Sequence, residues 1–250
     1  MTNPTHTLLY YTASLLPVAF ADRIRASLII SSRGKYPIVS VSQRPLTSPF
    51  GHNVCVGNIG SSIFNCYSQI LNGTCHITTP YVVCCEDDAL YSPEHLDFIP
   101  PRDDTFYYNH SRYSVDPTLY WRRPNRTIMG MCVCSTVLLR RTLTERFSKY
   151  PHSRDSVIRY FAEPGKYEAA MGLPVVPLEP FRTTHASLTF NHRPSLGGAR
   201  KLQPTDESTS TLPYWGDASV LWDLYAPHTN APKCTRDHDD GGYITRLAVD

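Results

Sequence analysis

The sequence predicts an α/β fold in which helices flank a largely parallel sheet, and three observations predict it. Strand-like and helix-like segments alternate through the first 90 residues in the order strand, helix, strand, strand, helix, strand. The run Tyr81-Val82-Val83-Cys84-Cys85 is continuously apolar, as expected of a strand covered on both faces. Thr12, Ser42-Gln43-Arg44 and Glu86-Asp87-Asp88 all fall at carboxyl ends of predicted strands, where open parallel sheets bind ligands. Together these describe a Rossmann-like sheet with a polar pocket along one edge. A chain of 250 residues is long enough for one large domain or two small ones.

Each element has its own signal. Thr7 to Thr12 reads as the first strand, closing on the small polar Thr12-Ala13-Ser14. Residues 15–30 have helical spacing of apolar positions, with Arg23 and Arg25 expected on the wet face and Gly34 as the stop. Pro37 to Ser42 is the second strand and Asn53 to Gly57 a short third, followed by a turn at Asn58-Ile59-Gly60. Ser61 or Ser62 can cap a helix from about Ile63 to Leu71, ended by Asn72-Gly73. After the acidic strand, further strands are expected at 105–109, 119–121, 127–134 (crossing Gly130) and 187–192. Helices are expected at 136–149, near 167–171 and at 218–224, the last packing back on the body. Residues 203–213 read as a mobile connection and 227–242 as loosely ordered.

The acids carry the chemistry. Each ionised carboxylate in Glu86-Asp87-Asp88 raises the energy of ionising its neighbours, and a divalent cation held by oxygens is the usual compensation. Alternation along a strand puts Glu86 and Asp88 on one face and Asp87 on the other. A solvated acidic turn is the competing reading. The charge pattern fits a metal site beside a polyanion surface: residues 86–104 hold seven acids against Arg102, and residues 112–154 hold nine bases against Asp116 and Glu145. No apolar run reaches the length of a membrane span. Met1–Tyr10 shows no basic leader followed by a long apolar core, and Cys84, Cys85, Cys132 and Cys134 lie in apolar runs without CxxC spacing, so a reducing cytoplasm is expected. Neither GxGxxG nor a P-loop lysine pattern is present.

The order of parts resembles the GT-A glycosyltransferases, nucleotide-sugar enzymes with a Rossmann-like half and a DxD-type acidic motif. Glu86-Asp87-Asp88 stands in the DxD place. The blocks Glu86 to Leu96, Pro100 to Asn109, Phe161-Ala162-Glu163-Pro164-Gly165, Asn191-His192 and Pro213-Tyr214-Trp215-Gly216 resemble small phage and bacterial cytoplasmic members. Some related phage enzymes glycosylate hydroxymethylated pyrimidines in DNA. The resemblance implies a mixed central sheet flanked by helices over residues 1–200, with a nucleotide-sugar half (1–100), an acceptor half (101–200) and a C-terminal extension (201–250).

It further implies a hexose, glucose by preference, moved from a UDP-sugar to a hydroxyl with Mn²⁺ or Mg²⁺. Asp88 and His192 would hold the metal, and Glu86 the ribose or the metal shell; Asp87 stands where relatives often have a non-acid. Thr12, Ser42, Gln43, Arg44 and Gly60 would line the donor pocket, although Arg44 reads equally as a surface residue. An inverting transfer needs a base. Glu163 is the first candidate, with Asp155 and Glu168 as rivals and a turn role as the alternative. Asn109, Arg122, Arg123 and Arg126 would meet the acceptor; the run Trp121 to Arg126 suits phosphate contact plus base stacking, or a loop pinned by cation–π contacts. DNA carrying 5-hydroxymethylcytosine or 5-hydroxymethyluracil is the candidate acceptor. A glycan or small-molecule acceptor, a sugar-1-phosphate nucleotidyltransferase and a non-catalytic nucleic-acid binder are the competing readings. No membrane partner is expected.

Overall fold

The computed structural model describes residues 5–122, 126–152, 161–191 and 207–225. In chain order the strands are β1 (His6–Thr12), β2 (Ile38–Ser42), β3 (His52–Cys55), β4 (Tyr81–Glu86), β5 (Ala89–Leu90), β6 (Phe106–Asn109), β7 (Arg112–Val115), β8 (Tyr120–Arg122), β9 (Cys132–Ser135), β10 (Leu178–Phe181), β11 (Ser187–Phe190), β12 (Ser208–Thr209), β13 (Thr211–Leu212) and β14 (Gly216–Asp217). The helices are α1 (Val18–Ser32), α2 (Ile63–Thr74), α3 (Pro93–Leu96), α4 (Thr136–Lys149) and α5 (Ala218–Tyr225).

Among the described residues a seven-stranded sheet runs β10-β6-β9-β4-β1-β2-β3, and a five-stranded sheet runs β12-β8-β7-β11-β5. Strands β3, β2, β1 and β4 are parallel, β9 lies antiparallel between β4 and β6, and β10 is parallel to β6. The expected mixed Rossmann-like sheet flanked by helices is therefore the fold observed.

Alternation along β1 explains why a seven-residue strand is buried throughout. Leu8 and Tyr10 join the core against Phe20, Ile24 and Leu28 of α1, whereas Leu9 and Tyr11 join a second core with Tyr67 and Ile70 of α2. Helix α2 starts at Ser62, whose hydroxyl accepts from the Asn65 amide, and its end is held by the Arg140 guanidinium on the Thr74 carbonyl. Gly73 does not stop this helix, as the sequence suggested, but lets it approach the sheet. A Cβ there would lie 2.4 Å from Leu9 Cδ1 and 2.9 Å from Val41 Cγ2.

Other expectations change in the fold. Arg25 is 5 % exposed instead of wet, paired to Asp22 and set 5.9 Å over the Phe50 ring. Residues 129–131 form a 3-10 turn before β9, so the strand expected over 127–134 begins only at Cys132. Residues 167–171 form turns without a regular helix. Within the expected mobile connection, residues 208–209 add to the second sheet as β12 and residues 211–212 pair with β14. Helix α5 does return to the body, with Leu221 and Trp222 buried in the α1-side core. His192, Arg123, Asp155 and residues 227–242 lie outside the described residues. No helix among the described residues is long and apolar enough to cross a membrane.

Candidate functional site

Glu86 ends β4 of the large sheet, Asp87 and Asp88 form the turn, and Ala89 opens β5 of the second sheet. The acids thus stand where the chain passes from one sheet to the other. Parallel pairing sets Tyr11 beside Glu86, so the ends of β1 and β4 open at the same edge. The second sheet holds the far side of the turn, since the Phe190 amide donates to the Asp88 carbonyl at 2.8 Å.

Protein groups hold the acids closely. The Tyr11 hydroxyl donates to Glu86 Oε1 at 3.3 Å, and the Glu86 amide donates to the Tyr91 hydroxyl at 2.8 Å. Gly130 of the 3-10 turn lies directly against the Glu86 carboxylate; an added Cβ would stand 2.5 Å from Oε2. The Thr12 hydroxyl bonds Asp87. Burial first, then the charges of Asp88 and Asp87, push the Glu86 carboxyl up to about 8, against the opposing pull of the Tyr11 hydrogen bond and Arg112. Glu86 still keeps part of its surface open. Behind the turn, burial and the two aspartates push the Tyr10 hydroxyl up as well, and Arg25 pulls it back.

The loop after β1 completes the edge. Ser14 adopts φ 57°, a left-handed conformation that is uncommon for serine and is fixed here from two sides. Its amide donates to Thr12 Oγ1 at 2.9 Å, and its hydroxyl accepts from the Arg44 amide at 3.2 Å. Gln43 is buried and clamps Gly60, donating to its carbonyl at 2.9 Å and accepting from its amide at 3.1 Å. Gln69 of α2 ties this corner together through the Thr12 carbonyl at 2.8 Å and the Val41 carbonyl at 3.3 Å. Gln43 and Gln69 are therefore internal braces, and Gly60 is a held loop residue. Ser42 is fully buried in a hydrogen-bond set with Asn53, directed inward. The exposed Arg44 and the three partly exposed acids remain along the open edge, with the buried Thr12 held on Asp87.

The expected acceptor residues separate. Asn109 is 0 % exposed, with its amide on His95, Thr183 and Ser111, an internal role in place of a ligand-facing one. Arg122 pairs with Glu207 at 3.0 Å on an exposed flank of β8. Strand β8 stands three strand spacings from β5, about 14 Å. Arg126 is half-buried. Glu163 lies partly buried in the 161–165 turn, 3.7 Å from Lys166, and its charge reaches Tyr67, which also feels Glu86. The rival Glu168 is consumed by structure: it is 2 % exposed in a buried ion pair with Arg146, and it accepts from the Gly165 amide at 2.8 Å.

Sequence reasoning missed Tyr11, Tyr91, Gln69, Gly130 and Arg112 as parts of this site. Only Arg112 had a signal, as one cation in a basic run. Arg112 is 5 % exposed on β7 and donates to Thr189 Oγ1 at 2.8 Å.

Among the described residues no three Asp, Glu, His or Cys side chains converge into a metal cage. The turn instead supplies hard carboxylate oxygens on an open edge. That donor set fits Mg²⁺ or Mn²⁺, which keep several waters and are held by one or two carboxylates plus substrate phosphates.

No family model and no curated protein matches the chain. Among solved structures it is similar to a glycosyltransferase involved in the glycosylation of the major capsid of PBCV-1, with 9 % identity and a TM-score of 0.48 over 74 % of this chain and 92 % of that one. It is similar to S. aureus TarS 1–349 in complex with UDP-GlcNAc, with 10 % identity and a TM-score of 0.48 over 80 % of this chain and 62 % of that one. It is also similar to the inositol-1-phosphate CTP transferase from T. maritima, with 11 % identity and a TM-score of 0.45 over 74 % of this chain and 88 % of that one.

Proposed function

We propose that the chain is a glycosyltransferase that moves a hexosyl group, glucose by preference, from a UDP-sugar to a hydroxyl acceptor with the help of Mn²⁺ or Mg²⁺. The observation that supports this reading most is the acidic turn at the carboxyl edge of the parallel strands, at the junction of two sheets. A donor's pyrophosphate can lie along the β1 and β4 ends on one side of that turn, and an acceptor can approach over the second sheet on the other.

The residues divide the work by position. Asp88, with His192 from outside the described residues, would hold the ion, whose chemistry is to stabilise charge on the departing diphosphate. Thr12 fixes Asp87, and Tyr11 with Tyr91 fixes Glu86, so the acids meet the donor already oriented. Arg44 lies beside the Ser14 turn, where its guanidinium can meet a phosphate or ribose oxygen. Glu163 is the proposed base for an inverting transfer, since Glu168 is committed to Arg146. Arg122, Arg123 and Arg126 form the proposed phosphate-contacting flank for DNA bearing 5-hydroxymethylcytosine or 5-hydroxymethyluracil. The nucleotidyltransferase alternative needs a glycine-rich loop with Arg and Lys after β1, and Thr12-Ala13-Ser14-Leu15-Leu16 is not one.

The test incubates the chain with labelled UDP-glucose, Mn²⁺ and DNA containing 5-hydroxymethylcytosine, 5-hydroxymethyluracil or neither. Label on modified DNA, lost in Asp88→Ala, is the expected result. Metal-dependent release of UDP with no labelled DNA removes the DNA acceptor and keeps the transferase. No turnover of any UDP-sugar with Mn²⁺ or Mg²⁺ removes the whole proposal.

A further inference from the structure

We propose that the loop Pro213-Tyr214-Trp215, with His185 and Glu94 beside it, is a second binding site that takes a neutral, equatorially substituted sugar ring of an oligosaccharide against its exposed tyrosine. The inference depends neither on the metal nor on the donor proposed above.

Three stretches that the acidic turn leaves unused converge on the segment before β11. Helix α3 supplies Glu94, whose Oε2 accepts from the Thr184 amide at 2.6 Å and the His185 amide at 3.1 Å, and whose Oε1 accepts from His185 Nδ1 at 2.8 Å. Strand β6 supplies Asn109, whose amide donates to Thr183 Oγ1 at 3.1 Å, and that hydroxyl donates to the His185 carbonyl at 2.7 Å. The β13–β14 hairpin supplies Trp215, whose indole N–H donates to the Ala186 carbonyl at 2.7 Å. Leu212 pairs with Gly216, so residues 213–215 form a three-residue loop, and Gly216 closes it at φ 74°, in the left-handed region. Trp215 packs onto the core, and its neighbour Tyr214 is left 43 % exposed. The Tyr214 ring stands 4.9 Å from the His185 ring and edge-on to Trp215 at 4.7 Å.

The chemistry of the open groups selects the ligand. Because the Glu94 carboxylate accepts from Nδ1, the proton of the neutral His185 ring sits there and Nε2 is an acceptor on a part-exposed ring. The cluster therefore presents an aromatic face bordered by an imidazole nitrogen and a phenol hydroxyl. Such a face gains by shedding water onto an apolar partner, while its polar border needs hydroxyls to pair with. A sugar ring with equatorial hydroxyls offers both, since its faces carry only C–H bonds and its rim carries the hydroxyls. The charge built into the cluster is the Glu94 carboxylate, which repels a phosphate backbone and leaves a neutral sugar unaffected. Strand β11 puts about 10 Å of extended chain between this cluster and Phe190, whose amide bonds the Asp88 carbonyl, so the two sites are separate.

The experiment adds cellotetraose, chitotetraose or oligothymidylate to the full chain in EDTA, without donor, at about pH 8, where an ordinary imidazole is neutral. Tryptophan emission is the readout: Trp215 is partly exposed, whereas Trp121 and Trp222 are buried, so the signal reports on this loop. Circular dichroism of each variant checks its fold. A saturable change with cellotetraose or chitotetraose is expected, weakened about tenfold or more in Tyr214→Ala and about fivefold in His185→Asn. Tyr214→Phe, which keeps the ring, is expected to stay within about threefold of the wild type. No saturable change with either oligosaccharide overturns the proposal, and so does a loss smaller than about tenfold in a folded Tyr214→Ala. A change with oligothymidylate alone also overturns it and makes the loop a nucleic-acid surface. If Tyr214→Ala does not fold, His185→Asn decides: a loss of about fivefold or more supports the site, and a smaller one overturns it. With neither metal nor donor present, each of these results leaves the transferase reading as it stands.

Discussion

Replacing Glu86 by glutamine tests whether the acidic turn is held under electrostatic tension. In the folded chain this carboxyl titrates near 8 instead of its ordinary 4.5, chiefly because it is buried and then because Asp88 and Asp87 are charged. A folded-state value above the unfolded one means that the protonated form stabilises the fold. That contribution is complete below about pH 4.5 and is lost as the pH climbs through about 8. Ionisation over such a window costs at most about 5 kcal/mol. Glu86 retains some open surface and shares the local charge with two aspartates, so about 2–3 kcal/mol is the working expectation. Glutamine keeps the shape and an oxygen for the Tyr11 hydroxyl but has no proton to lose. Urea unfolding of both proteins in EDTA, at intervals from about pH 5 to about pH 9, provides the assay. The two should be nearly equal at the acid end, with Glu86→Gln ahead by about 2–3 kcal/mol at the alkaline end. Parallel pH profiles would refute the reasoning, because they would mean that Glu86 ionises in the fold as freely as in the unfolded chain.

Two further predictions concern the supports of the site. Gly130→Ala places a Cβ 2.5 Å from Glu86 Oε2, 2.6 Å from Cδ and 2.8 Å from Cγ, so the held Glu86 side chain must shift. Thermal unfolding should show a loss of about 1–3 kcal/mol, and the initial rate of the proposed sugar transfer should fall about tenfold; an unchanged rate would show that the placement of Glu86 is immaterial. Glu168→Gln leaves the fully buried Arg146 without its counter-charge and should destabilise the chain by about 3–5 kcal/mol in urea, much of it recovered when Arg146 is also made methionine. A loss below about 1 kcal/mol would instead return Glu168 to the list of candidate bases.

Local pattern made the scaffold legible. The continuous apolar run before Glu86 and the alternation of β1 needed covering on both faces, and this already implies a helix on each side of a parallel sheet. Ser62 was readable as a cap because its hydroxyl acts within one helical turn. Glycine was less legible. Gly73 and Gly130 look like a stop and a strand residue in sequence, yet both are required by neighbours far along the chain, Leu9 for the first and Glu86 for the second.

The sequence by itself determined the sheet, its flanking helices and the place of three acids at a strand end, because those follow from periodicities of two and about 3.6 residues acting over short stretches. Tertiary structure alone decided which polar groups face the open edge and which are spent inside. Gln43, Ser42 and Asn109 turned inward to satisfy buried partners, Glu168 was claimed by Arg146, and Arg112 was tied within the second sheet to Thr189. Hydrogen bonds and charges in a low-dielectric interior are settled between residues dozens of positions apart, and no local pattern encodes those pairings.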